Sequence, residues 1–270
     1  GISGAGLSTF ISGMLNFLIL SILVFSKENN SKYKTRTGWK YDPALFKRLI
    51  RYGLPNGIQF FLDIAAFSLF ILLIGRLGAT ELAAASIAFN ISMLAFMPMI
   101  GLGITVSILV GQCVGANEPG QAKIATSSAL QISFTYMTIL AMLYLLIPNL
   151  FIYPFSAKAD PIEFESIKST ALVSLRFIAL WSIFDSLAII FSSALKGAGD
   201  TAFIMLTICL TGLMVLIAPT FLIIEIFHLG LNVAWISGVA YVLCLGIVYY
   251  LRFKGGKWQS MRVIESRQAT

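Results

Sequence analysis

Charge is scarce in this 270-residue chain: Asp, Glu, Lys and Arg together supply 11% of it, against about 25% in an average soluble domain. With 58% of residues apolar, too little polar surface remains to coat a water-soluble fold, and soluble enzymes and binding modules are excluded. Cysteine is almost as rare. Cys113, Cys209 and Cys244 each fall in an apolar run without a partner at metal-ligand spacing, so neither a disulfide framework nor a zinc site is signalled. The single histidine, His228, leaves metal binding or imidazole catalysis without a second group. No G-x-x-x-x-G-K-[ST] loop occurs, which removes nucleotide hydrolysis from this chain. Its 19 Lys and Arg exceed its 12 Asp and Glu, yet the basic residues gather beside apolar runs rather than along one polar face. A lipid bilayer is the expected partner, and nucleic acid is not.

Long apolar runs are what the chain does have. Seven stretches reach the roughly 18 uncharged residues that a crossing helix needs: Ile2 to Phe25, Leu54 to Ile74, Leu82 to Val114, Ile124 to Ile147, Ala171 to Leu195, Ala202 to Ile224 and Leu229 to Leu251. The expected fold is therefore an all-α membrane protein of seven transmembrane helices. The third stretch is long for one straight crossing, and Pro98 followed by Gly101 and Gly103 predicts a single bent helix.

Basic residues set the expected orientation. Connections after the first, third, fifth and seventh spans carry 8, 1, 1 and 5 Lys and Arg, against 1, 2 and 0 after the others. Short basic loops stay cytoplasmic, so the segment 26–53 and the tail 252–270 are expected inside and the first span enters from outside. Arg176 lies near the outer end of its span, where its guanidinium can snorkel to headgroups, and Glu225 and His228 flank a short outer turn. A chain that opens inside an apolar run and crosses first from outside reads as a fragment lacking N-terminal spans. A weak repeat points the same way: residues 1–8 and 230–237 share Gly, Ala and Ser at matching places, and each octet opens a span that ends in a basic segment. The expected organisation is a last helix of an N-terminal lobe (1–25), a basic cytoplasmic linker (26–53), a six-helix C-terminal lobe (54–251) and a cytoplasmic tail (252–270).

Only Asp63, Arg176 and Asp185 bring charge into the spans. Asp63 lies nine residues from the cytoplasmic end of its run and Asp185 ten from the end of its own, which places both about 14 to 15 Å deep at 1.5 Å per residue. A carboxylate at that depth costs about 2.5 to 3.5 kcal/mol, so it should face a bundle interior or a wet cavity, and it marks a functional site. Asn56, Gln59 and Asp63 share one helical face, as do Ser182, Asp185 and Ser192. Such faces could dehydrate Na⁺, or one carboxylate could hold a proton until cargo displaces it; no other cofactor is expected. Trp181 is a candidate for lining a cavity for apolar cations. Gly197-Ala-Gly-Asp200 with Tyr41-Asp42 echoes intramembrane aspartyl proteases, but both aspartates lie outside the spans, where that chemistry fails. Gly53-x-x-x-Gly57 and Gly111-x-x-x-Gly115 permit close helix approach but lie at helix ends.

Taken in order, Gly53-Leu-Pro through Phe60-Phe-Leu-Asp63, Leu82-Ala-Ala-Ala-Ser-Ile-Ala88, Met97-Pro-Met-Ile-Gly101, Val110-Gly-Gln-Cys-Val-Gly-Ala116 and Leu195-Lys-Gly-Ala-Gly-Asp-Thr201 resemble the multidrug and toxic compound extrusion transporters, in particular the NorM-like branch. The resemblance covers nearly the whole chain. It implies twelve helices in two six-helix lobes, with Ile2 to Phe25 as the sixth helix. It also implies exchange of cationic or amphiphilic compounds for Na⁺ or H⁺ across the cell (inner) membrane, as the two lobes rock around a central cavity. The family's carboxylates in the seventh and tenth helices match Asp63 and Asp185. This chain departs from the pattern in carrying Asp rather than Glu at position 63, and Trp181 where an aromatic hydroxyl is usual. A lipid-linked oligosaccharide flippase of similar architecture and a non-transporting scaffold are the alternatives. The absence of Lys or Arg at the midplane favours cationic cargo.

Overall fold

The computed structural model describes residues 2–38, 41–158 and 161–261; residues 39–40 of the basic segment and 262–270 of the tail lie outside them. The chain divides into two compact units, Gly1–Arg51 and Tyr52–Thr270. In the first, α1 (Ile2–Val24) is apolar on every side and largely exposed, as suits a helix bathed in lipid or packed on further helices. A short α2 (Lys27–Tyr33) follows, capped by Ser26, whose Oγ accepts from the Asn29 amide at 3.3 Å. Arg36 folds back and donates through Nε and Nη2 to the Phe25 carbonyl at 3.1 and 2.8 Å, satisfying a carbonyl that α1 leaves open.

From Pro43 to Gly75 runs α3, which begins in the first unit and continues through the second. Asp42 starts it, its Oδ1 accepting from the amides of Ala44 and Leu45 at 2.9 and 3.2 Å, with Pro43 as the first helical residue. That use of Asp42 is structural, in keeping with its exclusion as a catalytic acid. Gln59, Ala66, Phe70 and Ile74 form the buried stripe of α3, at the spacing of one helical face.

The second unit adds α4 (Ala79–Gly115), α5 (Pro119–Leu146), a short α6 (Pro148–Ile152) with a tight turn over Tyr153–Lys158, and α7 (Pro161–Gly197). As expected, α4 is one helix with Pro98 inside it. The sixth span is less regular than its sequence suggests. It comprises α8 (Thr201–Thr211), a wide i→i+5 turn over Gly212–Ile217, α9 (Ala218–Phe221) and a second wide turn over Leu222–Ile226. Pro219 explains the first: it offers no amide and crowds the carbonyl four residues earlier, and a wider turn moves that carbonyl aside. The last span is α10 (Leu231–Lys254), and beyond it Trp258 is buried and stacks on Phe253 at 4.7 Å. Among the described residues, seven helices are long and apolar enough to cross a bilayer; the chain is an all-α, multi-pass membrane protein.

At the centre of the second unit, α7 packs on α4, α5, α8 and α10. Its closest neighbour is α4, where Gly103, Ser107 and Gly111, four residues apart, meet Ile189, Ser193 and Gly197. An added Cβ at Gly103 would stand 2.7 Å from Ser193 Oγ, one at Gly111 3.1 Å from the Gly197 carbonyl oxygen, and one at Gly197 would collide with the Ser107 carbonyl. Lipid provides no hydrophobic drive between helices, so this close approach and the dispersion it gains hold the pair. The working repeat is thus Gly103-Ser107-Gly111. Gly53, Gly57 and Gly115 have nothing within 4 Å of such a Cβ.

The turn from α7 to α8 uses Gly199 at φ +94°, with the Gly199 and Asp200 amides donating to the carbonyls of Lys196 and Leu195 at 2.9 Å each. These bonds close the helix and need the left-handed residue. Asp200 then pairs with Arg252 of α10 in a forked bond, Nε to Oδ2 at 2.7 Å and Nη2 to Oδ1 at 3.3 Å, and the guanidinium rests 4.5 Å from the centre of the Phe203 ring. Asp200 therefore locks two helix ends together.

Gly197→Ala is expected to destabilise the bundle by about 1 to 3 kcal/mol through overpacking against backbone, while Gly115→Ala is expected to be neutral. Melting temperatures of the purified variants in detergent check both; equal values would refute the seam.

Candidate functional site

Gln59 and Asp63 sit one turn apart on the inward stripe of α3, and the Gln59 Nε2 donates to Asp63 Oδ2 at 2.9 Å. Gln59 is buried and Asp63 half-buried. Across from them, α7 presents Asp185, also half-buried. Asp185 lies close enough to Asp63 for their charges to interact, and Tyr241 of α10 is near both. Three helices thus converge on one charged spot.

Tyr241 was missed in reading the sequence, although a signal existed. It stands ten residues from Leu251, the end of its apolar run, and so at the depth already counted for the two aspartates. Aromatic side chains are common in membrane helices, and nothing in a single sequence marked this one. Lys196 was misjudged as well. Counted as a loop charge, it proves to be part of α7 and half-buried. A helix can continue past its apolar run, and Lys196 lies 11 residues beyond Asp185 on α7, so the midplane itself still carries no Lys or Arg.

The other candidates occupy different surroundings. Asn56 is exposed on α3, one turn before Gln59. Ser182 is buried and donates to the Ile178 carbonyl of its own helix at 2.8 Å, while the Ser192 hydroxyl donates to Ile189 at 3.1 Å; both protons are taken by backbone. Trp181, one turn before Asp185, belongs to an aromatic cluster, with its ring edge-on to Phe89 at 6.2 Å and to Trp235 at 6.5 Å. Trp235 is fully buried, and its Nε1 donates to Ser174 Oγ at 3.1 Å. Phe67, Phe70 and Phe177 complete the cluster, which joins α3, α4, α7 and α10. Gly238 of α10 makes room for Trp181, since an added Cβ would lie 2.7 Å from Cζ3. Arg176 is exposed, as its reading as a snorkelling anchor requires. Among the described residues, no cluster of His, Cys, Asp and Glu could hold a metal ion.

Two ionisable residues within the spans of an all-helical membrane bundle mark a functional-site candidate. The MatE family model matches residues 55–222, and the chain belongs to the MatE family. It is 30% identical to a probable multidrug resistance protein NorM of Mesorhizobium japonicum, over 93% of this chain and 55% of that protein. Identity is 24% to the corresponding protein of Thermotoga maritima, over 98% of this chain and 55% of the relative. The fold is similar to that of a MOP superfamily transporter from Pyrococcus furiosus, with a TM-score of 0.80 at 18% identity, covering 96% of this chain and 56% of the other. The chain spans about half the length of the curated relatives it matches.

Gly238→Ala is expected to push Trp181 out of its slot, lowering stability by about 1 to 3 kcal/mol and shifting tryptophan emission. Thermal melts and fluorescence spectra check this; an unchanged spectrum would show that the slot does not hold the ring.

Proposed function

We propose that the chain forms the C-terminal lobe of an ion-coupled multidrug exporter that moves cationic or amphiphilic compounds across the cell (inner) membrane by alternating access. The observation that carries this reading is the juxtaposition of Asp63 and Asp185, contributed by different helices, with Gln59 bonded to one and Tyr241 in the field of both. Two carboxylates so placed repel each other when both are ionised, and one proton, one Na⁺ or one organic cation relieves the repulsion. Competition between ion and cargo for the same charge is what an antiporter needs. In this reading Asp63 and Asp185 are the coupling pair, Gln59 orients Asp63, Tyr241 adds an oxygen, and Asn56, Ser182 and Trp181 are lesser contributors along the same helices.

Alternating access requires a second bundle to rock against, so the working protein pairs this lobe with an N-terminal one, in line with relatives about twice as long. The lysine and arginine asymmetry supports a cytoplasmic placement for the segment 26–53 and the tail. A flippase for anionic lipid-linked sugars fits less well, because the two carboxylates leave the site acidic. The protease reading has no support, because Asp42 caps a helix and Asp200 is held by Arg252. The protein is a transporter in this account and not an enzyme.

In the full-length protein expressed in an efflux-deficient host, Asp63→Asn and Asp185→Asn are each expected to cut ethidium extrusion at least tenfold under an imposed Na⁺ or H⁺ gradient, at unchanged membrane abundance. The gradient that drives wild-type export names the coupling ion. Export by both variants at the wild-type rate would remove the mechanism.

A further inference from the structure

We propose that the first turns of α3, residues 43–51, form a basic amphipathic surface that docks on the anionic phospholipid headgroups of the cytoplasmic leaflet. The inference rests on the cytoplasmic placement of the segment 26–53 proposed above. A helix of 33 residues is about 50 Å long, whereas the hydrocarbon core of a bilayer is about 30 Å thick. The apolar run of α3 begins only at Leu54, so the turns before it project beyond that core. At about 100° per residue, Leu45, Phe46, Leu49 and Ile50 fall within an arc of about 140°, and Lys47, Arg48 and Arg51 within an arc of about 100° centred on the opposite side. That division suits a helix lying in the headgroup layer, its apolar side in the acyl boundary and its basic side against phosphate.

Both sides of this stretch are open. Leu45, Phe46, Leu49 and Ile50 are 59, 47, 67 and 43% exposed, more than a packed helix face allows. Among the described residues, the ion pairs are Arg76 with Glu225, Lys168 with Glu165 and Arg252 with Asp200, and none engages Lys47 or Arg48. The register of the two faces is fixed at the helix start, where Asp42 Oδ1 accepts from the Ala44 and Leu45 amides at 2.9 and 3.2 Å. The Tyr41 ring lies 5.5 Å from that of Phe46, an aromatic pair of the kind that settles at a membrane interface. Pro55, inside α3, has no amide to donate to the Arg51 carbonyl, so the helix can change direction where the amphipathic stretch meets the span. An uncharged protein surface would answer the apolar side alone, and a free polyanion the basic side alone. An anionic leaflet presents hydrocarbon and negative charge together, at the depth where this stretch emerges.

The test uses the full-length protein in a cysteine-free background, with one environment-sensitive fluorophore attached through Leu49→Cys on the apolar side or Ala44→Cys on the basic side. The protein is placed in nanodiscs of phosphatidylcholine alone or mixed with phosphatidylglycerol, and aqueous iodide is the quencher. With phosphatidylglycerol present, the Leu49 label is expected to be blue-shifted and shielded while the Ala44 label stays quenched. Phosphatidylcholine alone is expected to lower the ratio of shielded to quenched Leu49 label at least tenfold. In the mixed discs, Lys47→Gln with Arg48→Gln should lower it about 25-fold, at about fivefold per charge, and Lys47→Arg should leave it unchanged. Equal shielding in both lipids, indifferent to the Gln variants, would mean that another part of the protein covers the apolar side, and it overturns the proposal. Equal quenching of both labels in every disc overturns it too. A membrane-impermeant maleimide separates the two readings: if Ala44→Cys reacts in intact cells, the cytoplasmic placement fails and this inference with it. If it reacts only after permeabilisation and the Leu49 label ignores lipid charge, this inference alone is lost.

Discussion

The constraint on which the rest depends is the cost of an ionisable carboxyl group inside hydrocarbon. At about 2.5 to 3.5 kcal/mol each, Asp63 and Asp185 could not persist on lipid-facing positions of helices whose stability margin is small. They persist because Gln59 donates to one carboxylate at 2.9 Å, and because Asp63, Asp185 and Tyr241 of α10 lie near one another away from lipid.

Holding that geometry falls to contacts that look unrelated to it. On one side of α7, the Gly103-Ser107-Gly111 seam allows backbone to meet backbone at Gly197. On another, the aromatic cluster around Trp235 ties α3, α4, α7 and α10 into one layer a turn above the carboxylates. At the opposite end, the fork between Asp200 and Arg252 joins the start of α8 to the end of α10. Each acts on α7, and α7 carries Asp185 and Lys196. The wide turns in the sixth span are the exception to regular packing, placed where Pro219 would otherwise strain the helix and where Thr220 meets Ser237 of α10 at 2.6 Å. Wide turns of this kind recur at functional sites because they change which side chains face inward.

Much of the site was readable from sequence because the reasoning used depth, which depends only on counting along a helix. Asp63 and Asp185 stood out as charges in apolar runs, and Gln59 followed from helical periodicity. Tyr241 passes the same depth count but carries no charge to attract notice. Lys196 was assigned to a connection because hydropathy marks where apolar residues stop, whereas a helix stops where its backbone bonds are capped, here two residues further on at Gly197 and Gly199. The glycine seam is only half visible in sequence for a similar reason: a Gly-x-x-x-Gly pattern picks out Gly111 with Gly115, whereas Ser107 serves as the small residue between Gly103 and Gly111.

By itself the sequence determined seven apolar helices, a membrane environment, family membership through ordered motifs, and two acidic groups at one depth. These follow from composition, length and periodicity, which are properties of each segment alone. Only the tertiary structure decided that Asp63, Asp185 and Tyr241 from three helices lie near one another, that the Ser182 and Ser192 protons are spent on backbone, and that Trp181 is committed to an aromatic layer. Such outcomes depend on how closely helices approach and how they are rotated. Small residues distant in sequence set both, through dispersion contacts too weak individually for any one segment to announce.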